Sequence, residues 1–510
     1  MQTITGPPSQ NLLLKVFRQY DIRGIYPTEI NEQLFERIGR AYATIDAVQR
    51  AKQILVAHDV RCGSPQLALA FMRGIASAAP KAKRVFAGAL PIGAAMFYAN
   101  KTGSELAYVT ASHLPPDWNG LKLFHPDGKG WLAPENVALR DAVPLAPVES
   151  AETKHTVVDP DSIITNYIHH LVTKIKPKRR LRVVLDCGNG AASMVAPRLF
   201  ATAGFEVKAL WAQPDGRFPN RSPDPLADPL THLKEAVRLE RASLGIAYDG
   251  DGDRMVIVDD TGEKVSSENA SAIILEELLK TAKGPLIATA ECSCLIEDLA
   301  RRFGRPLIRV PVGHTHLIEA VHSKGAAFGV EISGHYAIPS LAVGDDSLAI
   351  SYYLACVVSS RNVALSSQLR LLPSYPCYRE NFVCADEEKF AVLERMKAKL
   401  AKRYGSVDDM DGLRVVFTDG WALIRASNTE PKIRLTVEAR TQDRLSQLKA
   451  DFTKLLEHEL RCIYKPSLAS KLRSYFGSMK SCFCIFAHRR ASSSDSRSPM
   501  SNHAPRQTQP

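Results

Sequence analysis

The chain has 510 residues, 45% of them hydrophobic and 23% charged, and carries a formal net charge of +11. That length exceeds what one hydrophobic core serves and implies roughly three or four domains, while the composition excludes collagen-like, disordered and disulfide-scaffold chains. Residues 466–510 hold seven Lys and Arg against the single Asp495, so +6 of the charge belongs to the tail, and the balance elsewhere argues against a nucleic-acid partner.

No apolar run approaches the roughly 18 residues of a membrane span, and the first residues show neither the basic nor the apolar region of a secretory signal. The ten cysteines form no even framework and are expected as reduced thiols, which with the missing signal points to a cytoplasmic protein. The C-x-C pairs Cys292/Cys294 and Cys482/Cys484 lack the second half of a zinc site.

In chain order, F-R-Q-Y-D-I-R-G (17–24) places Arg18 and Arg23 around Asp21 before a glycine, a pattern able to clamp an anion between guanidinium forks. A helix is predicted over 31–47, a strand over 53–57 running into H-D-V-R-C-G-S-P (58–65), a helix over 66–77 and a strand over 84–87. The apolar run 106–109 then enters Y-V-T-A-S-H-L-P-P-D-W-N-G-L-K-L-F (108–124), a strand ending in a turn-rich loop with an Asn-Gly turn at 119–120. Ser112 stands at the strand exit beside His113, with Lys122 further on; taken alone, a plain polar turn would account for all three. Alternating strands and helices of this kind predict an α/β domain whose carboxyl-end loops carry function.

After an irregular region, 142–160, a second unit is predicted from a helix over 162–175, a strand over 181–185 and the turn D-C-G-N-G (186–190). Ser193 replaces the third glycine of a dinucleotide fingerprint, so that turn is read as a tight strand-to-helix connection. The unit closes on L-G-I-A-Y-D-G-D-G-D-R-M-V-I-V-D (244–259), in which Asp249, Asp251 and Asp253 alternate with glycines between two apolar runs. Three carboxylates so close repel unless a cation sits among them, and an all-oxygen set favours Mg²⁺ over zinc. An EF-hand does not fit, because its sixth position is Arg254 and its twelfth Asp260.

The third unit has a helix over 269–282, a strand over 285–290, a second helix, and a strand over 307–310 ending in P-V-G-H-T-H (311–316). The run 327–330 then leads to E-I-S-G-H (331–335), whose Glu331, Ser333 and His335 share one face if the segment is extended, a set suited to reading sugar hydroxyls. Gly-Asp-Asp-Ser at 344–347 precedes a helix over 348–358. The fourth unit differs: a strand over 378–383, a helix over 386–404, a hairpin over 413–424, R-A-S-N-T-E-P (425–431) and a helix over 444–460. Arg425, Ser427, Asn428 and Thr429 gather a guanidinium, two hydroxyls and an amide suited to a phosphate, although a polar turn between strands has the same composition. The Ser-rich tail shows no sustained period and is expected to be disordered.

T-A-S-H, D-G-D-G-D-R, E-I-S-G-H and R-A-S-N-T-E-P, in this order, resemble the phosphoserine, metal, sugar and phosphate loops of the α-D-phosphohexomutases, within them the phosphomannomutase/phosphoglucomutase group, over nearly all of residues 12–462. The resemblance implies three similar mixed α/β domains and a smaller α+β domain of the TATA-box-binding-protein type around a central cleft. The corresponding boundaries are 1–155, 156–260, 261–371 and 372–465, with 466–510 as a basic tail. It implies a mutase interconverting hexose 1-phosphate and hexose 6-phosphate, of mannose or glucose, in a monomer or dimer. A phosphoserine at Ser112, one Mg²⁺ held by that group with Asp249, Asp251 and Asp253, and a hexose 1,6-bisphosphate intermediate or activator go with it.

By the same resemblance Arg23, Lys122, His113 and Arg254 join Ser112 in the catalytic set. His314, Glu331, Ser333, His335 and Tyr20, with Arg425, Ser427, Asn428 and Thr429, form the substrate-binding set. Three departures from the family pattern stand out: Leu114, Pro115 and Pro116 after His113, Val330 where glycine commonly precedes the glutamate, and Glu291 where a lysine is often found. Mutases for an amino sugar or pentose phosphate, and a sugar-phosphate binder with weakened catalysis, remain alternatives.

Overall fold

The computed structural model describes residues 8–145, 154–427 and 431–463. Its first sheet has six strands in the order Ile22–Ile25, Trp118–Phe124, Ser104–Val109, Gln53–His58, Arg84–Ala89 and Thr156–Val157. The last four run parallel, and Trp118–Phe124 is antiparallel to both of its neighbours. Gln53–His58 and Ser104–Val109 are buried along their whole length, as expected of central strands covered on both faces.

A second sheet orders Lys264–Val265, Met255–Asp259, Leu244–Tyr248, Arg182–Asp186 and Glu206–Leu210; a third orders Leu307–Val310, Leu286–Thr289, Phe328–Val330 and Tyr336–Ala337. Both are mixed, with parallel centres and an antiparallel edge. One continuous hydrophobic cluster runs through all three units, including Leu55, Leu106, Leu185, Ile246, Leu286, Val330 and Leu348. The loops at the ends of these sheets are therefore held on a single packed body.

The fourth unit is a four-stranded antiparallel sheet, Cys377–Val383, Lys432–Ala439, Gly420–Ala426 and Leu413–Phe417, backed by the helices Asp386–Tyr404 and Gln442–Ile463. Asp386–Tyr404 starts with three acidic residues and ends with Lys402 and Arg403, which suits the helix dipole at both ends. This unit has its own core. A small apolar patch, Ala290 against Trp421 and Leu423, joins it to the third.

Two sequence expectations change here. Asn119 and Gly120 are not a turn but lie within the strand Trp118–Phe124. A side chain at Gly120 would come within 2.0 Å of the Ile22 carbonyl oxygen, so glycine here permits close strand approach. Residues 331–335 are also not extended: Glu331 N–H donates to the His335 carbonyl across a tight turn with Gly334 at φ +86°. That turn, not a strand face, brings Glu331, Ser333 and His335 together. Val330 is an ordinary strand residue that makes no demand for glycine.

Candidate active site

Ser112 follows the buried strand Ser104–Val109, is 1% exposed, and has φ 50°, a left-handed conformation uncommon for a residue with a side chain. Its amide donates to Thr110 Oγ1 at 2.8 Å, and its hydroxyl donates to Asp249 Oδ2 at 2.8 Å. His113 Nδ1 lies further from that hydroxyl, at 3.4 Å.

The whole loop hangs on Arg61, which sequence reasoning passed over. Its guanidinium donates to the carbonyls of Ser112 (2.7 Å), Leu114 (2.6 Å), Pro115 (2.5 Å) and Trp118 (3.0 Å), and to Asp59 Oδ2 at 3.1 Å. The Leu114 to Pro116 departure is thus a loop whose carbonyls converge on one buried cation. The available signal was the charged pair Asp59 and Arg61 just after the apolar run 54–57.

Asp249, Asp251 and Asp253 are all buried, with ligand atoms within 4.8 Å of one another. Asp249 Oδ1 accepts the amides of Gly252, Asp253 and Arg254 at 3.0 to 3.1 Å, which folds the loop and leaves Oδ2 toward Ser112. A side chain at Gly250 would come within 2.4 Å of the Ser112 carbonyl oxygen, so glycine permits the two loops to touch. The aspartate loop is braced from its own unit, where Ala191 N–H donates to Gly250 O, and from both neighbours, Ile92 N–H donating to Asp251 O and Ser347 Oγ to Gly252 O. Asp251 Oδ1 and Asp253 Oδ1 are buried and meet no hydrogen-bond donor.

Lys122, on Trp118–Phe124, reaches the same carboxylates, Asp251 Oδ2 at 3.0 Å and Asp253 Oδ2 at 2.5 Å. Burial works against its ammonium, but Asp251 and Asp253 outweigh it and raise the pKa above the usual lysine value. Burial, then the charges of Asp253 and Asp251, push Asp249 well above the ordinary carboxyl range. Burial opposes ionisation of Asp253 too, yet Lys122, His335 and Arg254 hold it well below. His113 is kept neutral by burial and by the positive charges of Arg254 and Arg23. Arg23 Nε donates to Asp21 at 2.6 Å and its NH1 to the Ala111 carbonyl at 3.3 Å, beside Ser112.

Arg254 Nε donates to His335 Nε2 at 2.9 Å, and His335 Nδ1 lies 2.9 Å from Asp345 Oδ2. His314 Nδ1 lies 2.9 Å from the same oxygen, and the two imidazoles stack with centroids 5.0 Å apart. Asp345 is thus a shared anchor that the sequence displayed only as part of a Gly-Asp-Asp-Ser turn. Glu331 accepts from Ser333 Oγ (2.5 Å) and from the Gly313 amide (2.9 Å), while Tyr20 Oη stands 2.7 Å from His316 Nε2.

Burial disfavours the protonated His314, but Asp345 outweighs it and raises its pKa, while Asp345 is held well below the carboxylate range despite its burial. A raised imidazole pKa gives stability that is complete below the unfolded value of about 6.5 and is lost as pH rises through the folded one; a depressed carboxyl pKa gives stability present above about 3.9 and lost as pH falls through its folded value. Asp345→Asn is therefore expected to cost about 3 kcal/mol near pH 6 and to flatten the decline in melting temperature above pH 7. Thermal melts across pH 5 to 9 measure this, and parallel curves for the two proteins would show that the pair carries no charge.

In the fourth unit, Arg425 Nε donates to Glu291 Oε1 at 3.1 Å across the joint with the third, and Asp411 Oδ2 lies 3.9 Å away. Ser427 follows Arg425 on the same buried stretch; Asn428, Thr429 and the tail 466–510 lie outside the described residues.

Family models for phosphoglucomutase/phosphomannomutase match residues 14–143 (domain I), 165–262 (domain II), 266–375 (domain III) and 380–455 (C-terminal domain). A solved phosphoglucomutase/phosphomannomutase family protein from Burkholderia thailandensis superposes with a TM-score of 0.79 at 28% identity, covering 87% of this chain and 97% of that one. The chain is 33% identical over 441 residues to a protein of Methanothermobacter thermautotrophicus described as a probable phosphoglucosamine mutase, covering 84% of this chain and 95% of that one. A Methanosarcina acetivorans protein of the same description is 33% identical over 430 residues, covering 84% and 96%. The class that fold and site define is the intramolecular phosphotransferase. Within that class the chain belongs to the phosphoglucomutase/phosphomannomutase family of the α-D-phosphohexomutase superfamily.

Proposed function

We propose that the protein interconverts the 1- and 6-phosphates of glucosamine through a phosphoserine at Ser112 and a bisphosphorylated sugar that stays in the cleft. The observation that carries this is the Ser112 hydroxyl bonded to Asp249, beside two buried carboxylate oxygens without a donor. Buried anionic oxygens so placed fit a hard cation, and Asp249, Asp251 and Asp253 with the phosphorylated serine would hold Mg²⁺. When bound, the ion neutralises charge on the phosphoryl oxygens.

The bond from phosphorus to Ser112 Oγ breaks as a bond to the free sugar hydroxyl forms, and the hydroxyl proton ends on the serine. Lys122 serves with Arg23 and Arg254 as counter-charge to the transferring oxygens. The bisphosphate then turns, and Ser112 takes back the other phosphate. Glu331, Ser333, His335, His314 and Tyr20 face the sugar; Arg425, Ser427, Asn428 and Thr429 hold the phosphate that is not moving. The amino sugar displaces the mannose or glucose of the opening expectation because the archaeal relatives, covered over 95% and 96% of their length, are described as phosphoglucosamine mutases. Glucose or mannose is the second reading, favoured by the description of the Burkholderia structure.

A coupled assay with the 1-phosphates of glucosamine, glucose and mannose, primed with a hexose 1,6-bisphosphate, tests this. Turnover is expected to be fastest with glucosamine, to vanish with a chelator and to return with Mg²⁺, and mass spectrometry should find phosphate on Ser112. Inactivity on all three sugars, or activity indifferent to chelation, would overturn the proposal.

A further inference from the structure

Glu291 is a buried carboxylate, 3% exposed, at the joint between the third and fourth units. Its strand, Leu286–Thr289, runs parallel to Phe328–Val330 with Leu286 opposite Phe328. Glu291 therefore leaves the sheet at the same end as Glu331 and Ser333, on the side where the sugar is read. Its Oε1 is 3.1 Å from Arg425 Nε and 3.9 Å from Arg434 NH1. A second carboxylate, Asp411, lies 3.9 Å from Arg425 Nε and accepts from the Val312 amide at 2.8 Å, next to the Gly313 amide that Glu331 accepts. Glu291 and Asp411 both face Arg425, and Glu331 is held one residue along from the amide that anchors Asp411.

This arrangement is balanced only while nothing else claims the guanidinium. A phosphate dianion prefers the same fork, through charge-assisted hydrogen bonds. Once it takes Arg425, Glu291 keeps only Arg434 NH1 at 3.9 Å, too far for a hydrogen bond, and stands as a buried carboxylate beside another anion, which is costly. A neutral sugar offers that carboxylate a hydroxyl but no charge; a 2-amino sugar, whose amine is largely protonated near neutral pH, offers an ammonium ion.

We propose that Glu291 is a specificity-determining residue: it pairs with Arg425 in the free protein and with the ammonium group of an amino-sugar phosphate once phosphate occupies that arginine. The assignment rests on the mutase reading above. Phosphate entry and amine recognition are then one exchange of partners, in which each anion released finds a cation supplied by the same ligand.

The test compares kcat/KM for glucosamine 1-phosphate, glucose 1-phosphate and N-acetylglucosamine 1-phosphate, the last being an uncharged analogue substituted at the same carbon. In Glu291→Gln the value for glucosamine is expected to fall about 10- to 100-fold further than that for glucose, since a site built for a charged group discriminates sharply when that group is lost. Glu291→Asp, which keeps the charge but shortens its reach, should shift the ratio in the same direction by less, and it serves as the measurement if the glutamine variant does not fold. Calorimetry on Ser112→Ala protein, with and without Glu291→Gln, should show the same change in relative affinity for glucosamine 6-phosphate and glucose 6-phosphate. A mutase whose sugar ratio is the same in all three proteins overturns the role of Glu291 and leaves the mutase reading standing. A wild-type protein inactive on every sugar overturns both.

Discussion

Ser112→Ala is expected to reduce mutase turnover by at least about 10⁴-fold, equivalent to roughly 5.4 kcal/mol of barrier. Every cycle on the proposed route passes through a phosphate on Ser112 Oγ, alanine offers no oxygen in its place, and Lys122 is committed to Asp251 and Asp253. The fold should survive. Alanine keeps the β-carbon and so leaves the φ of 50° no more strained than before. The loop retains its Arg61 contacts, and Asp249 retains the three amides on Oδ1. The lost hydroxyl bond to Asp249 costs about 1 kcal/mol. Steady-state assays beside thermal melts and intact-mass measurement check this: an inactive, unphosphorylated, well-folded protein is the expected result, and one with near-native turnover would remove phosphoserine from the mechanism.

The serine, aspartate and sugar loops were legible in the sequence because each crowds unusual chemistry into a few residues between apolar runs. Asp249, Asp251 and Asp253 need no tertiary context to imply a cation, and the helix predicted over 386–404 is found as Asp386–Tyr404, since its period and end charges are local. The residues that were missed act across long separations. Arg61 binds carbonyls 51 to 57 positions away, and Asp345 reaches His314 across 31. Periodicity carries no trace of such partners. Asn119-Gly120 misled for the opposite reason: a strong local turn signal was overridden by the tertiary demand for close approach to Ile22. Glu291 lies between these cases, since the sequence marked it as a departure while its pairing with Arg425 needed the fold.

Arg61→Met should be the most damaging change outside the residues that touch substrate, costing about 3–5 kcal/mol of stability and lowering kcat by roughly 10² to 10³. Methionine can fill much of the space beneath Phe218, whose ring lies 5.0 Å from the guanidinium carbon, so cavity formation is a minor part of the cost. The larger part is electrostatic. Asp59 is left buried without its ion pair, and the carbonyls of Ser112, Leu114, Pro115 and Trp118 lose a shared donor. Since Ser112 holds a left-handed backbone that its surroundings must enforce, releasing those carbonyls lets its hydroxyl drift from Asp249. Arg61→Lys separates the two effects. An ammonium ion can keep the pairing with Asp59, but it cannot span carbonyls spread along seven residues of loop as a planar fork does. The lysine variant is therefore expected to recover most of the melting temperature and little of the kcat, with KM for the phosphosugar nearly unchanged in both variants. Native kcat in Arg61→Met would show that the serine loop holds its shape without this arginine.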